Sequence, residues 1–491
     1  MTGAAPLFAR RLLVAAAAAL AGAALPAACG STAPAALLTR DQVQDPEVCQ
    51  SCHPTQYAQW SGSMHAYASQ DPVFRAMNKR GQRETNGALG DFCVKCHAPV
   101  AVQQNLTKDG LDLDSLPPPA QRGVTCYFCH STVSADGVHD DPLSLAADGE
   151  SLFGPFSDPL PGTPHKVSHS NLLDGLRAES AAACGSCHDI VNSHGAAIER
   201  TYQEWQATRF AVPPQGQTCA ACHMSEQAGV PAATTGTHTL HDHSLAGVDQ
   251  ALTPFPNADA QKDAVQATID PTLLPAVCWN PVAGAIEVDL DNAGAGHGFP
   301  SGASQDRRVW VEVTAFAGGQ VIYQSGVPPA GQTVETAPDP DLWMIRDCLF
   351  GVDGKPVNMF WDAADYTSNQ VPGAVTLVVT DPSSYTRSHV KNVYPGGGAR
   401  LPATPDRITI AVRMKAIGDD VLGDLVASGD LDPSFLGQIP TLTPQSGTLE
   451  WTMDTATPVQ GVDPPLYCVV KGNGTFRDSP NLAASHARCA R

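Results

Sequence analysis

The chain has 491 residues, 16% charged and 43% hydrophobic, with a formal net charge of −20. That acidity excludes a nucleic-acid partner, because phosphate binding needs clustered Lys and Arg. Fifteen Cys and sixteen His are the feature of the composition that points to chemistry.

Residues 1–28 read as an export signal: Arg10 and Arg11, an apolar run at 12–25, then Pro26-Ala27-Ala28. The run is too short to be a permanent membrane span. Cys29 follows Leu25-Pro26-Ala27-Ala28, which resembles a bacterial lipobox with Pro in place of the usual aliphatic residue. It predicts lipidation at Cys29, with cleavage to a soluble form as the alternative. Such an anchor ties a protein to a membrane surface without spanning it. Residues 29–45 read as a linker.

From 46 to 250 one pentapeptide recurs five times: Cys49-Gln-Ser-Cys52-His53, Cys93-Val-Lys-Cys96-His97, Cys126-Tyr-Phe-Cys129-His130, Cys184-Gly-Ser-Cys187-His188 and Cys219-Ala-Ala-Cys222-His223. Cys-x-x-Cys-His is the attachment site of a c-type haem. Two thiols add across the porphyrin vinyl groups, and the adjoining His supplies the proximal imidazole. Five covalent haems c are therefore expected. Structural zinc, the rival use of paired cysteines, leaves the invariant following His unexplained. Covalent haem attachment takes place outside the cytoplasm, in agreement with the export signal.

In residues 46–250, Leu, Val, Ile and Phe number 14, 13, 2 and 6, or 35 of 205. A chain so poor in large apolar residues does not ordinarily build a core. The porphyrins are expected to be the core, wrapped by short helices and irregular chain, and apoprotein is expected to be unfolded. Tyr57-Ala-Gln-Trp60-Ser-Gly-Ser63 and Tyr202-Gln-Glu-Trp205-Gln-Ala-Thr208 form a quasi-repeat. Its i, i+3 spacing places both aromatics on one helical face.

After a linker at 251–270, residues 271–470 change character. Strand-like runs occur at 286–290, 309–316, 321–323, 375–379, 407–414 and 448–453, with a hairpin across Gly318-Gly319. An all-β sandwich is expected, followed by a tail at 471–491. The fold class is thus α+β: a haem-wrapped domain, then a β-sandwich. Cys278, Cys348, Cys468 and Cys489 fit no haem or zinc spacing and are expected to form two disulfides, with three possible connectivities.

Eleven His lie outside the motifs, enough to give every haem a second imidazole, the arrangement of electron-transfer haems rather than catalytic ones. His65, close after Trp60, is a distal candidate. His165 and His169 supply at least one ligand, and the cluster of His238, His241 and His243 supplies one. His139 and His194 are weaker candidates; His389 and His486 read as surface residues. His297, in Asn292-Ala-Gly-Ala-Gly296-His297-Gly-Phe-Pro300-Ser-Gly302, is read as reaching from the second region to a haem.

Several segments resemble the multihaem cytochromes c related to the tetrahaem cytochromes of ammonia oxidisers. They are Cys49 to His53 with Trp60-Ser-Gly-Ser63-Met-His65, Gly123-Val-Thr-Cys126, Gly154-Pro155-Phe156 before His165, Thr201-Tyr202-Gln-Glu204-Trp205, Cys222-His223-Met224, His241-Asp-His243, and Gly296-His297-Gly-Phe-Pro300. The resemblance implies His65, His165, His243 and His297 as preferred distal ligands. No motif carries the Lys that marks the catalytic haem of pentahaem nitrite reductase in the same superfamily. The expected function is single-electron transfer between redox proteins at the periplasm or cell surface of a Gram-negative bacterium, with an outer-membrane lipoprotein as the anchored form. The alternative is an oxidoreductase acting on a small nitrogen or sulfur species at one five-coordinate haem. A third reading makes the sandwich a docking module.

Overall fold

A computed structural model of the chain describes residues 36–107, 112–160, 162–213, 216–232, 236–376, 388–461, 463–472, 481–483 and 489. The expected export signal, Cys29 and His486 lie outside those residues. The protein is α+β, with short helices through its first region and a sheet-rich second region.

The motifs sit on or beside helices of only four or five residues: Pro46–Cys49, Val94–His97, Cys126–His130, Ala181–Gly185 and Cys219–His223. Local chemistry starts most of them. The Asp45 carboxylate accepts from Glu47 N with Pro46 at the first position. Thr125 Oγ1 accepts from Phe128 N at 3.3 Å, and Thr218 Oγ1 from Ala221 N at 3.2 Å. A cap of this kind contributes about 1 kcal/mol. Helices this short do not persist alone, so their positions depend on what packs against them.

A longer helix, Pro72–Glu84, joins the two regions. Asp71 caps it through Val73 N and Phe74 N. Its Val73 and Ala76 enter one apolar cluster with Trp361, Val421, Leu422 and Leu425. Helix Ala258–Ile269 occupies the stretch expected to be a linker.

The second region holds two five-stranded sheets. One runs, edge to edge, Thr457–Pro458, Tyr467–Val470, Leu273–Asn280, Ala285–Asn292 and His389–Tyr394. The other runs Gln320–Ser325, Arg308–Ala317, Arg407–Lys415 and Thr448–Thr452, with Met344–Ile345 beside Arg308–Ala317. Strand Arg407–Lys415 alternates half-buried and buried positions along its whole length, as a strand with one face on the core must. Leu273, Val277, Ile286 and Val288 of the first sheet share a core with Val309, Val311, Ile408, Ile410 and Trp451 of the second. Glycines at φ +59° and +76°, Gly318 and Gly319, turn the hairpin between Arg308–Ala317 and Gln320–Ser325; those angles favour glycine. Of the strand expected at 375–379, residues 375 and 376 are irregular and 377–379 lie outside the described residues.

Two disulfides join Cys278 to Cys468 and Cys348 to Cys489, which resolves the connectivity left open by spacing. Cys278 and Cys468 are direct partners on neighbouring strands and close a loop of 190 residues. Replacing both with Ser should lower unfolding stability by about 3–5 kcal/mol. A denaturant melt of the holoprotein checks this, and unchanged stability would show that the bridge constrains nothing.

Candidate haem-binding site

One cavity of about 2050 Å³ runs through the first region and along the second, and all five motif histidines line it. A single small-molecule pocket measures roughly 300–1,000 Å³, so this space is built for several large groups.

Four of the five motif imidazoles face another imidazole across it. The ring centroids are 6.3 Å apart for His53 and His165, 6.2 Å for His65 and His188, 6.4 Å for His130 and His243, and 6.4 Å for His223 and His297. An imidazole nitrogen lies about 2.0–2.1 Å from a bound transition metal and about 1.1 Å from its own ring centre, so two trans imidazoles on one metal put their centroids about 6.2–6.4 Å apart. The four separations have that length. Interplanar angles are 34°, 86°, 22° and 9° in the same order.

The remaining ring nitrogens fit the same use. Nδ1 of His53, His130 and His223 meets the carbonyl of Pro231, Phe153 and Ala246 at 2.5, 2.7 and 2.8 Å. Nδ1 of His97 meets Ala68 O at 3.3 Å, and that of His297 meets Gly298 O at 2.7 Å. A carbonyl at Nδ1 fixes the tautomer that leaves Nε2 free for iron. Among the described residues, Nδ1 of His65, His165 and His243 is buried with no hydrogen-bond partner; such orphaned groups are rare in a finished core. Burial lowers the pKa of His65 to about 3 and those of His188, His243 and His297 to about 4. All four rings are therefore neutral at pH 7, the form that binds metal. The donor set fits haem.

The motif sulfurs lie close to one another between motifs. Cys49 interacts with Cys126, Cys96 with Cys187, and Cys184 with Cys219.

The Tyr-x-x-Trp quasi-repeat has a structural meaning that its spacing did not reveal. Tyr57 and Trp60 lie 5.8 Å apart, Tyr202 and Trp205 5.7 Å. Trp60 Nε1 donates to Val124 O and Trp205 Nε1 to Gln217 O, both at 2.8 Å. Each acceptor stands two residues before the first cysteine of another motif. Ser63 Oγ and Thr208 Oγ1 then donate to the carbonyls of Trp60 and Trp205 at 2.7 Å. The same clamp ties the first motif to the third and the fourth motif to the fifth.

His65 is held by a backbone contact. It lies on helix Met64–Tyr67, capped by Ser63 through Ala66 N, and its carbonyl accepts from Val124 N at 2.8 Å. Gly123, at φ +69°, lies so close that a Cβ there would stand 2.1 Å from His65 O.

His297 is brought in by a loop of the second region, as its sequence setting suggested. Asn292 Nδ2 donates to His297 O at 2.7 Å. Glu204, on helix Thr201–Gln206, accepts from Gly298 N at 3.1 Å and from Ser301 Oγ at 2.6 Å. The Glu204→Ala substitution removes the shared acceptor and should cost about 1–3 kcal/mol. The expected result is a partial shift of one haem toward high spin; a spectrum identical to wild type would mean the loop holds His297 without Glu204.

The other histidines have other settings. His169 ends strand Lys166–His169 and faces no motif imidazole among the described residues. His238 lies 4.5 Å from the Phe156 ring, His241 Nδ1 meets Met224 O at 2.8 Å, and His139 pairs with Asp140 at 2.8 Å. His194 is exposed. His389 lies 3.4 Å from Asp291.

His97 breaks the pattern. Among the described residues no histidine ring faces it; instead Phe74 stacks on its imidazole at 4.2 Å and 1°. Phe74 covers the face of the ring, not the line beyond Nε2 on which a metal would sit. Among the described residues, imidazoles therefore face four of the five motif histidines; His486 lies outside those residues.

Residues 48–131 match the protein family described as cytochrome c554 and c-prime. The fold is similar to the crystal structure of a penta-heme cytochrome c552 from Thermochromatium tepidum, with a TM-score of 0.55 and 18% sequence identity. The match covers 84% of this chain and 99% of that one. No curated protein matches the chain.

Proposed function

Starting from a multihaem c-type cytochrome related to the cytochrome c554 family, we propose that this chain carries five covalent haems and moves single electrons among them. The observation that carries the reading is the set of four imidazole pairs at 6.2–6.4 Å. Haem, when bound, supplies a one-electron iron couple whose potential depends on axial ligands, burial and nearby charge. The residues do the rest. Cys49, Cys52, Cys93, Cys96, Cys126, Cys129, Cys184, Cys187, Cys219 and Cys222 fix each porphyrin edge. His53, His97, His130, His188 and His223 serve as proximal ligands, with His165, His65, His243 and His297 opposite all but His97. Two strong ligands hold an iron in nearly the same geometry in both oxidation states, which suits rapid transfer. Adjacent motif sulfurs support closely spaced haems.

The chain would be exported by residues 1–28 and held at a membrane surface through Cys29. No helix among the described residues is long and apolar enough to cross a membrane. Its partners would be other redox proteins, basic ones being steered by its charge of −20.

His97 favours a second reading, a haem with one open coordination position at which a small molecule reacts. Spin-state counting of the oxidised holoprotein separates the two. Four low-spin haems and one high-spin haem are expected. Near-perpendicular imidazole planes at His65 and His188 should give a strongly anisotropic low-spin EPR signal, and the near-parallel planes at His223 and His297 a rhombic one. Five high-spin haems would overturn the bis-imidazole reading; five low-spin haems would overturn the open position.

A further inference from the structure

Strands Thr132–Ala135 and Leu143–Leu145 pair as an antiparallel hairpin that follows the third motif. Its tip is bonded by backbone to the fourth. Asp141 N donates to Ser186 O at 2.7 Å and Asp140 N to Asp189 O at 3.0 Å, so the tip grips both sides of Cys187-His188. Asp140 Oδ1 also accepts from Val191 N at 3.1 Å. These bonds bring Asp141 Oδ1 to 3.8 Å from Cys187 Sγ, a sulfur proposed above to hold the haem of the fourth motif. Asp140 and Asp141 reach this position at φ +60° and +55°, a region that L-residues seldom occupy. Two such residues in succession mark a turn whose geometry is held for what it positions.

The charged and titratable neighbours come from four elements. On the hairpin itself, Asp140 Oδ2 pairs with His139 Nδ1 at 2.8 Å. From the fourth motif come Cys187 and Asp189, whose Oδ2 accepts from Gln203 N at 3.1 Å. Cys129 of the third motif and Lys95, on helix Val94–His97 of the second, act on Asp141 electrostatically. Bound as thioethers, Cys129 and Cys187 carry no charge and donate no hydrogen bond. Asp141 is half-buried, so solvent protons reach it. Burial raises its pKa to about 7, with Lys95 opposing.

We infer that Asp141, held against the Cys187 sulfur, sets the potential of the haem attached at Cys184 and Cys187 and takes up a proton when that haem is reduced. The inference rests on the proposed function, with His188 and His65 as that haem's axial ligands. Oxidised iron carries one more positive charge than reduced iron, and a nearby positive charge favours the carboxylate over the acid. Reduction removes that charge. One electron passes from a redox partner to the iron and one proton from water to an Asp141 oxygen, so the charge of the pair is unchanged. At low pH Asp141 is neutral in both oxidation states and does not affect the potential. At high pH it is charged in both and holds the potential down; between these limits the potential falls as pH rises.

The test follows the strongly anisotropic EPR signal of the His65–His188 haem through redox titrations of fully loaded protein at about pH 5 and about pH 9, on either side of the Asp141 value. Asp141→Asn keeps the size of the side chain and suits the left-handed backbone. It should leave the potential at the lower pH unchanged. At the higher pH it should favour reduction about tenfold, a rise of about 59 mV. Asp136→Asn, which neutralises an exposed carboxylate of the same hairpin, should move neither, because solvent screens it. Wild-type potentials in Asp141→Asn at both pH values would overturn the inference. So would an equal shift at both, which reports repacking without proton uptake, or an equal shift in Asp136→Asn, which reports surface charge alone. A wild-type spectrum without the anisotropic signal would instead overturn the pairing of His65 with His188, and the inference with it.

Discussion

Replacing His297 by alanine is expected to turn the haem attached at Cys219 and Cys222 from low-spin to high-spin, leaving the spectra of the other four unchanged. His297 is the one proposed ligand supplied by the second region, and its ring lies 6.4 Å from that of His223 with the two planes 9° apart. The loop that carries it is fixed independently, by Asn292 on its carbonyl and by Glu204 on Gly298 and Ser301. Removing the ring should therefore not unfold the loop. The measurement is a spin count by EPR or magnetic circular dichroism, in which one haem in five changes class. A weak-field ligand in place of imidazole also shifts that haem's potential, so a redox titration should show one component displaced. If all five haems keep their spectra, His297 is no ligand and the two regions are joined only by packing.

The second large effect is expected at Gly123. A Cβ there would meet His65 O at 2.1 Å and Ala66 O at 2.9 Å, both backbone atoms that no rotamer change can move aside. The glycine also sits at φ +69°, where alanine is strained by about 1–2 kcal/mol before any clash is counted. Gly123→Ala should push helix Met64–Tyr67 away from the third motif. The haem of His188 should then lose its strongly anisotropic signal, and stability should fall by more than about 3 kcal/mol. A variant with wild-type melting and spectrum would show that the contact relaxes freely. His65→Ala is the companion, removing the same ligand without disturbing the backbone.

The sequence announced the haems far more clearly than their surroundings. Cys-x-x-Cys-His is a local signal, because the two thioethers and the proximal ligand must lie within one turn, so all five motifs were legible. The distal ligands are not local. Two other motifs separate His65 from its partner His188, and spacing carries no record of such a pairing; the sequence setting singled out His65 and His297, while only resemblance chose His165 over His169 and His243 over His238 and His241. His169 was equally plausible in sequence because His165 and His169 flank a strand whose facing is set by its parallel pairing with Ser151–Gly154. That no imidazole among the described residues faces His97 could not be read at all, since a count of histidines says nothing about where they point. In the second region, alternation exposed most of the strands, while helix Ala258–Ile269 stayed hidden: only Val265 and Ile269 are buried in it, too narrow a stripe to stand out.

The paired Tyr-x-x-Trp clamps carry a consequence for assembly. Each indole bridges a motif to the chain just before another, so ordering one motif prepares the ground for its mate. The first and third motifs would then mature as one cooperative unit, and the fourth and fifth as another. The second motif, with Phe74 stacked on its histidine and no clamp of this kind, would stand outside both. Partially loaded protein should therefore accumulate in steps of two haems, and the His97 haem should be added or lost independently of either pair.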